Sequence, residues 1–230
     1  MKLLGVETSS YVFSVAVSEK DRILSSFTVE DARRPDAVLT DLIQKTLSAA
    51  RIDLQDIDGL TVSAGPGSFT GLRVGVTVVK TIAWALKKPA LPISSLEVIA
   101  QNFCRSRNPI SLFGDARKGK VYTALFSSET SSDNISTMKR LTEDRLLFPE
   151  EALKKSPSNA ILVGDGTVRY ASLISQLSPP PAVAPSSTWI PSAESLCRVA
   201  ASRWPDGVVD DIHRLVPQYL YSKESDITGW

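Results

Sequence analysis

Residues 63–73, Ser-Ala-Gly-Pro-Gly-Ser-Phe-Thr-Gly-Leu-Arg, join an apolar run to an apolar, helix-like segment through three glycines and a proline, with the hydroxyls of Ser68 and Thr70 among them. Backbone of this kind suits an anion. A strand end, flexible glycines and then helix N–H groups at a positive dipole end can cradle phosphate. Two standard motif tests fail, however. The Walker pattern needs Lys and Ser or Thr after its last glycine, but Leu72 and Arg73 follow Gly71; the dinucleotide fingerprint needs a glycine where Thr70 stands. The other reading is a tight strand-to-helix connection, with Ser68 or Thr70 as N-cap and with Gly71 and Gly75 allowing close packing. Both readings stand at this point.

Upstream, Leu3–Val6, Val12–Val17 and Ile23–Val29 read as three strands of an antiparallel meander, with the charged turn Glu19-Lys20-Asp21-Arg22 between the last two. Pro35-Asp36 starts a helix with Val38, Leu42, Leu47 and Ala50 near helical spacing, and Gly59–Ala64 returns as a buried strand. Downstream, Thr70–Leu86 is apolar on most faces, which predicts a helix buried on more than one side. Lys87-Lys88-Pro89 ends it, with cations at the negative end of the helix dipole.

The second half reads as a weaker echo. A helix over Leu96–Phe103 precedes strands at Ile110–Phe113 and Val121–Phe126, the latter across the turn Arg117-Lys118-Gly119-Lys120. Ile161–Val163 leads into Gly164-Asp165-Gly166, a proline-rich connection spans Ser178–Ser187, and Ser192–Trp204 is an amphipathic helix with Leu196, Val199 and Ala200 inward. The order predicts two α/β lobes of similar topology, divided as 1–93 and 94–230.

Composition bounds the chemistry. With 26 basic and 25 acidic residues in 230, the net charge of +1 gives no global drive toward nucleic acid or an anionic membrane, though a local basic patch stays open. No stretch approaches the roughly 20 apolar residues of a membrane span, and the short run after Met1 does not read as a signal peptide. Two cysteines, Cys104 and Cys197, make no disulfide framework or zinc knuckle and are expected to pack as small apolar groups in a reduced cytoplasm. His213 is the single histidine, so two-histidine metal clamps are excluded, and no nucleophile elbow accompanies it.

Three further constellations bear on chemistry. Glu7-Thr8-Ser9-Ser10 follows the first strand; it is either a phosphate-gripping hairpin whose acid holds magnesium through water, or a polar strand end in a turn. Asp115-Ala116-Arg117-Lys118-Gly119-Lys120 could meet phosphate or an acidic partner, or be a solvated hairpin tip. His213 beside Asp210 and Asp211 reads more simply as a surface histidine than as a general base.

Taken in order, ETSS, GPGSFTGLRVG, PISSLEVIA, DARKGKVY, VGDG and VPQYL resemble the TsaB (YeaZ) family of bacterial tRNA threonylcarbamoyladenosine biosynthesis proteins across nearly the whole chain. The resemblance implies a two-lobed actin/hexokinase/Hsp70-like (ASKHA) α/β fold with duplicated mixed-sheet topology. It implies a cytoplasmic, non-catalytic partner of the TsaD transferase, with the ATPase TsaE joining the complex and a homodimer forming in TsaD's absence. The reaction served is threonylcarbamoylation of the adenosine beside the anticodon, with tRNA met through the complex. TsaD holds a metal through an HxxxH pair; here Arg33-Arg34-Pro35-Asp36-Ala37-Val38 occupies the corresponding helix start, without a histidine.

The resemblance also assigns residues. Glu7, Thr8, Ser9, Gly65, Gly67 and Ser68 would face a cleft between the lobes and retain weak ATP or ADP affinity, with no cofactor required and no metal. Val76, Val79, Lys80 and Ala83 of the apolar helix would meet the partner, with Asp115 and Arg117 as further contacts. The alternative is an independent ATP-dependent kinase of the sugar-kinase superfamily. It would need a second phosphate loop of the form DxGT, for which Gly164-Asp165-Gly166-Thr167 is the only candidate, in a different order.

Overall fold

A computed structural model describes residues 1–30, 35–130, 136–209 and 211–221; Arg33, Arg34 and Asp210 lie outside the described residues. The chain forms two compact units, Met1–Val98 with Ile190–Gln218 and Ile99–Trp189 with Tyr219–Trp230.

The first unit is built on β1 (Lys2–Glu7), β2 (Val12–Glu19), β3 (Arg22–Glu30), α1 (Pro35–Ala50), β4 (Gly59–Gly65), α2 (Phe69–Leu86) and β5 (Ala90–Ser94). The sheet order is β3-β2-β1-β4-β5, with β1–β2 and β2–β3 antiparallel and β1–β4 and β4–β5 parallel. Side-chain alternation along β1 separates two cores. Leu4 and Val6 join Leu39, Leu42 and Ile43 of α1 and Val76, Val79 and Ala83 of α2 on one face. Leu3 turns to the other face, where it meets Leu91 and Ile93.

A short helix, α3 (Ser95–Ala100), leads into the second unit. There follow β6 (Ile110–Leu112), β7 (Gly114–Asp115), β8 (Val121–Thr123), β9 (Leu125–Thr130), β10 (Ser136–Arg140), β11 (Arg145–Leu147), α4 (Pro149–Lys155), β12 (Ile161–Val163), α5 (Gly166–Arg169), α6 (Ala171–Ser175) and β13 (Ala182–Val183). The larger sheet has the order β10-β9-β6-β12-β13. Its pairings repeat the first sheet's directions, antiparallel from β6 to β9 to β10 and parallel from β6 to β12 to β13. The duplicated mixed-sheet topology is therefore present, one copy in each unit. Val121–Phe126 is two strands, not one. β8 pairs with β7 and β11 in a small second sheet, and beyond Ala124 the chain joins the larger sheet as β9.

The division at residues 93 and 94 gives way to a discontinuous one. The last helix, α7 (Ala193–Arg203), closes the open face of the first sheet: Leu196, Val199 and Ala200 cover Leu3, Leu91 and Ile93. Ser192 caps it by accepting from Ser195 N–H at 3.2 Å, and the buried Ser14 hydroxyl accepts from Ala193 N–H at 2.8 Å. Cys197, on the covered face of α7, is fully buried, and burial pushes its thiol up to about 12. Cys104 is half-buried.

α2 corrects one sequence expectation. Its 18 residues are long and apolar enough to cross a membrane by length and composition, yet they lie against the first sheet with one stripe buried and the opposite side exposed. Lys87, in the left-handed conformation at φ 54°, caps the helix C-terminus, with Lys88 N–H donating to Ala83 O at 3.0 Å.

Candidate functional site

The glycine loop and the strand end after β1 are packed directly onto each other. Glu7, the last residue of β1, is fully buried; Ser9 N–H donates to its Oε1 at 2.7 Å and the Ser63 hydroxyl donates to its Oε2. Burial raises the pKa of Glu7 above the ordinary 4.5, and the Ser63 and Ser9 donors offset part of that rise. A carboxylate holding magnesium through water needs a wet face. Glu7 has none here.

Thr8 is buried as well, and its hydroxyl donates to Gly71 O at 2.8 Å. The Ser9 carbonyl accepts from Ser68 N–H at 2.7 Å. Ser68 is the N-cap of α2 and accepts from Gly71 N–H at 3.2 Å. Two loop N–H groups that could have met an anion are thus engaged within the protein. Gly71 is required by closeness: a Cβ there would land on Thr8 O. Gly65 needs its freedom for another reason, since its φ is 126° and a Cβ would lie 2.5 Å from Gln218 O. The buried Ser95 hydroxyl donates to Pro66 O and ties the loop down from the far side.

Of the six nucleotide-facing candidates, Gly67 and Ser68 reach solvent, beside the exposed Phe69 and Thr70. Glu7, Thr8, Ser9 and Gly65 form the packed layer beneath them. Ser68 is the N-cap that the tight-connection reading requires.

The packing of α2 turns three of its four partner-facing candidates inward. Val76, Val79 and Ala83 are buried in the first core, at 3%, 0% and 2% exposure. Lys80 holds the chain's own C-terminal segment, its Nζ donating to His213 O at 3.0 Å and Leu215 O at 3.3 Å. Leu215 is itself buried in that core, and Gln218 N–H donates to Ala64 O at 2.7 Å. These residues form a strap across α2 and the start of the glycine loop. The VPQYL motif marks it, although nothing in its local pattern says what it covers.

The outward face of α2 is instead Thr70, Arg73, Thr77, Thr81, Trp84 and Ala85. Trp84 is 66% exposed and Phe69 53%, and the Arg73 guanidinium stacks 3.7 Å from the Phe69 ring centroid. Val74, Val78 and Ile82 flank the buried stripe and are half covered. No acidic residue occurs anywhere in the helix. Its helical phase was ambiguous in the sequence because valines stand at 74, 76, 78 and 79.

In the second unit, Asp115 and Arg117 stand at the tip of the β7–β8 hairpin, where Arg117 N–H donates to Asp115 Oδ1 at 2.9 Å. Asp165 accepts from Asp115 N–H at 2.7 Å, and Thr167 donates to Gly164 O at 2.7 Å. The DxGT-like stretch is consumed in its own turn. His213 is exposed, and its N–H donates to Asp211 at 2.9 Å. Among the described residues no group of three His, Cys, Asp or Glu side chains could hold a metal ion.

Residues 28–198 match the family of TsaD, tRNA N6-adenosine threonylcarbamoyltransferase. The TsaB protein of Buchnera aphidicola is 30% identical over 71% of this chain and 78% of its own length. The chain belongs to the TsaB family. TsaB from Bacillus subtilis is 27% identical, covering 98% of this chain and 96% of that protein. YeaZ from Pseudomonas aeruginosa superposes with a TM-score of 0.80 at 28% identity, over 95% of this chain and 99% of that one. TsaB membership therefore extends over both repeats, including the α7 return onto the first sheet.

Proposed function

We propose that this chain serves tRNA threonylcarbamoyladenosine formation as the non-catalytic partner of a TsaD-type transferase, in the cytoplasm. Its work is binding. The observation that carries the reading is the divided surface of α2: Val76, Val79 and Ala83 seal the first core, while an acid-free outer row presents Trp84, Thr77 and Thr81. Arg73 and Trp84, both on this outer row, are of the residue types enriched at interface hot spots. Binding activates the transferase by as much as the subunit prefers its competent conformation over the others.

The same face would pair two copies of this chain when no transferase is present, and a TsaE-type ATPase would join the assembled complex. Any ATP or ADP affinity would be weak and would centre on Gly67 and Ser68. RNA is met as part of the complex. Nothing in the geometry favours the sugar-kinase alternative, because Glu7 is buried and Asp165 is engaged by Asp115 N–H.

Pull-down with the transferase, beside circular dichroism, tests the reading. Trp84→Asp and Thr81→Asp should stay folded and lose the transferase. If both folded variants still bind it, the interface is elsewhere and the reading fails. Appreciable ATP turnover by the chain alone, abolished by Glu7→Ala, would favour the kinase instead.

A further inference from the structure

The tip of the β7–β8 hairpin is the second repeat's own device. Arg117, Lys118 and Gly119 all have positive φ, at 63°, 47° and 73°, so the turn is tight and left-handed, with Arg117 and Lys118 exposed. Asp115 lies beneath them with its side chain 7% exposed, and one of its oxygens is 3.3 Å from both Arg117 Nη1 and Arg169 Nη1. A single covered carboxylate is thus shared by two guanidinium groups, each with an outer edge in solvent.

Aromatic rings are threaded between the cations. The Tyr221 hydroxyl donates to Ala116 O at 2.9 Å, with Arg117 O at 3.1 Å, and so its ring braces the turn. Lys118 Nζ lies 5.8 Å from that ring's centroid. Lys120 Nζ lies 5.4 Å from the Phe148 centroid and 6.0 Å from that of Tyr221. Phe148 sits at the same end because β11 pairs Leu147 with Val121, and it is 57% exposed. The acids nearby are Asp165, held by Asp115 N–H, and Glu150 and Glu151 in the first turn of α4, where Glu151 pairs with Lys155 at 2.9 Å.

Cations alone would suit any acidic surface. An open aromatic face held among them adds a platform for a planar base, and phosphate pairing beside base stacking is how unpaired nucleic acid is gripped. The net charge of +1 does not oppose this, because the cations here are local. We propose that the β7–β8 tip contacts unpaired RNA, with Arg117, Lys118 and Lys120 on phosphates and a base stacked on Phe148. That the RNA is a tRNA rests on the function proposed above; the chemistry of the tip does not.

The test titrates a fluorescein-labelled RNA stem-loop with an unpaired loop against the full chain assembled with the transferase, by anisotropy across a series of salt concentrations. Arg117→Gln with Lys118→Gln should weaken binding and flatten the plot of log affinity against log salt by about 1.4, since each single-strand phosphate contact contributes about 0.7. Phe148→Ala should weaken binding about tenfold and leave the salt slope unchanged. Circular dichroism confirms that the variants are folded. Equal affinity and slope for wild type and both variants overturns the proposal. So does loss of the transferase from the double variant with unaltered RNA affinity, which would make the tip a protein contact. If the wild-type chain does not assemble with the transferase, the proposed function fails; the same titration of the chain alone then decides the tip by the same criteria.

Discussion

The two repeats share one strand order and one set of strand directions but use their central loops differently. In the first, the strand-to-helix loop presses onto the turn after β1, with Gly71 against Thr8 O and Ser68 N–H on Ser9 O. In the second, the loop after β12 presses onto the end of β6, where a Cβ on Gly166 would lie 2.5 Å from Phe113 O. The steric device is the same. The helices beyond the two loops diverge: α2 runs for 18 residues and keeps a long outer row exposed, whereas α5 has four residues, of which only Val168 and Arg169 are exposed. Thr8 and Ser9, which follow β1, are buried, while the counterpart segment after β6 grows into the β7–β8 hairpin with an exposed tip. Duplication preserved the scaffold, and the two copies came to present different surfaces.

This contrast can be tested at five positions. Val79→Asp puts an unpaired charge into the fully buried stripe of α2 and should cost about 4 kcal/mol or more, read as loss of the unfolding transition in urea. A folded Val79→Asp protein would mean that α2 is not sealed against the sheet. Next come Gly71→Ala and Gly166→Ala. A helical Gly→Ala change ordinarily gains up to about 1 kcal/mol. Here the overlap with a carbonyl should reverse the sign and destabilise by about 1–3 kcal/mol, more at Gly71 than at Gly166, in matched thermal melts. Stabilisation by either substitution would end the case for a shared steric device.

Glu7→Gln examines the buried carboxyl through pH. Between the ordinary 4.5 and its raised folded value, the native Glu7 keeps a proton that the unfolded chain has lost. Unfolding then releases a proton, so this group's contribution to stability falls as pH rises through that window and is flat below it. The amide variant lacks that term, so urea midpoints of the two proteins should converge or cross in its favour toward neutral pH. Parallel midpoints would show that Glu7 is not desolvated. The smallest effect belongs to Trp84→Ala, which should change stability by no more than about 0.5 kcal/mol while weakening transferase binding.

Much of this was legible in local pattern. The meander, α1, β4, α2 and β12 all follow from apolar spacing, and Ser68 was available as an N-cap from its place before the helix. The short strands β10, β11 and β13 escaped because segments of two to five residues carry too little periodicity. Site residues were harder. The family resemblance assigns Val76, Val79, Lys80 and Ala83 to a partner-facing side, but an apolar helix with valines at 74, 76, 78 and 79 carries no phase of its own to say which side that is.

Residue order thus settled the doubled α/β pattern, the glycine loop and the family, since each is written in neighbouring residues or in motif order. It took the folded chain to assign Ile190–Gln218 to the first unit, to bury Glu7 under Ser9 and Ser63, and to turn Trp84 outward. Those outcomes depend on which distant segment covers which surface. Sheet-face burial and the strap from His213 to Gln218 bring together residues more than a hundred positions apart, and no local period encodes that choice.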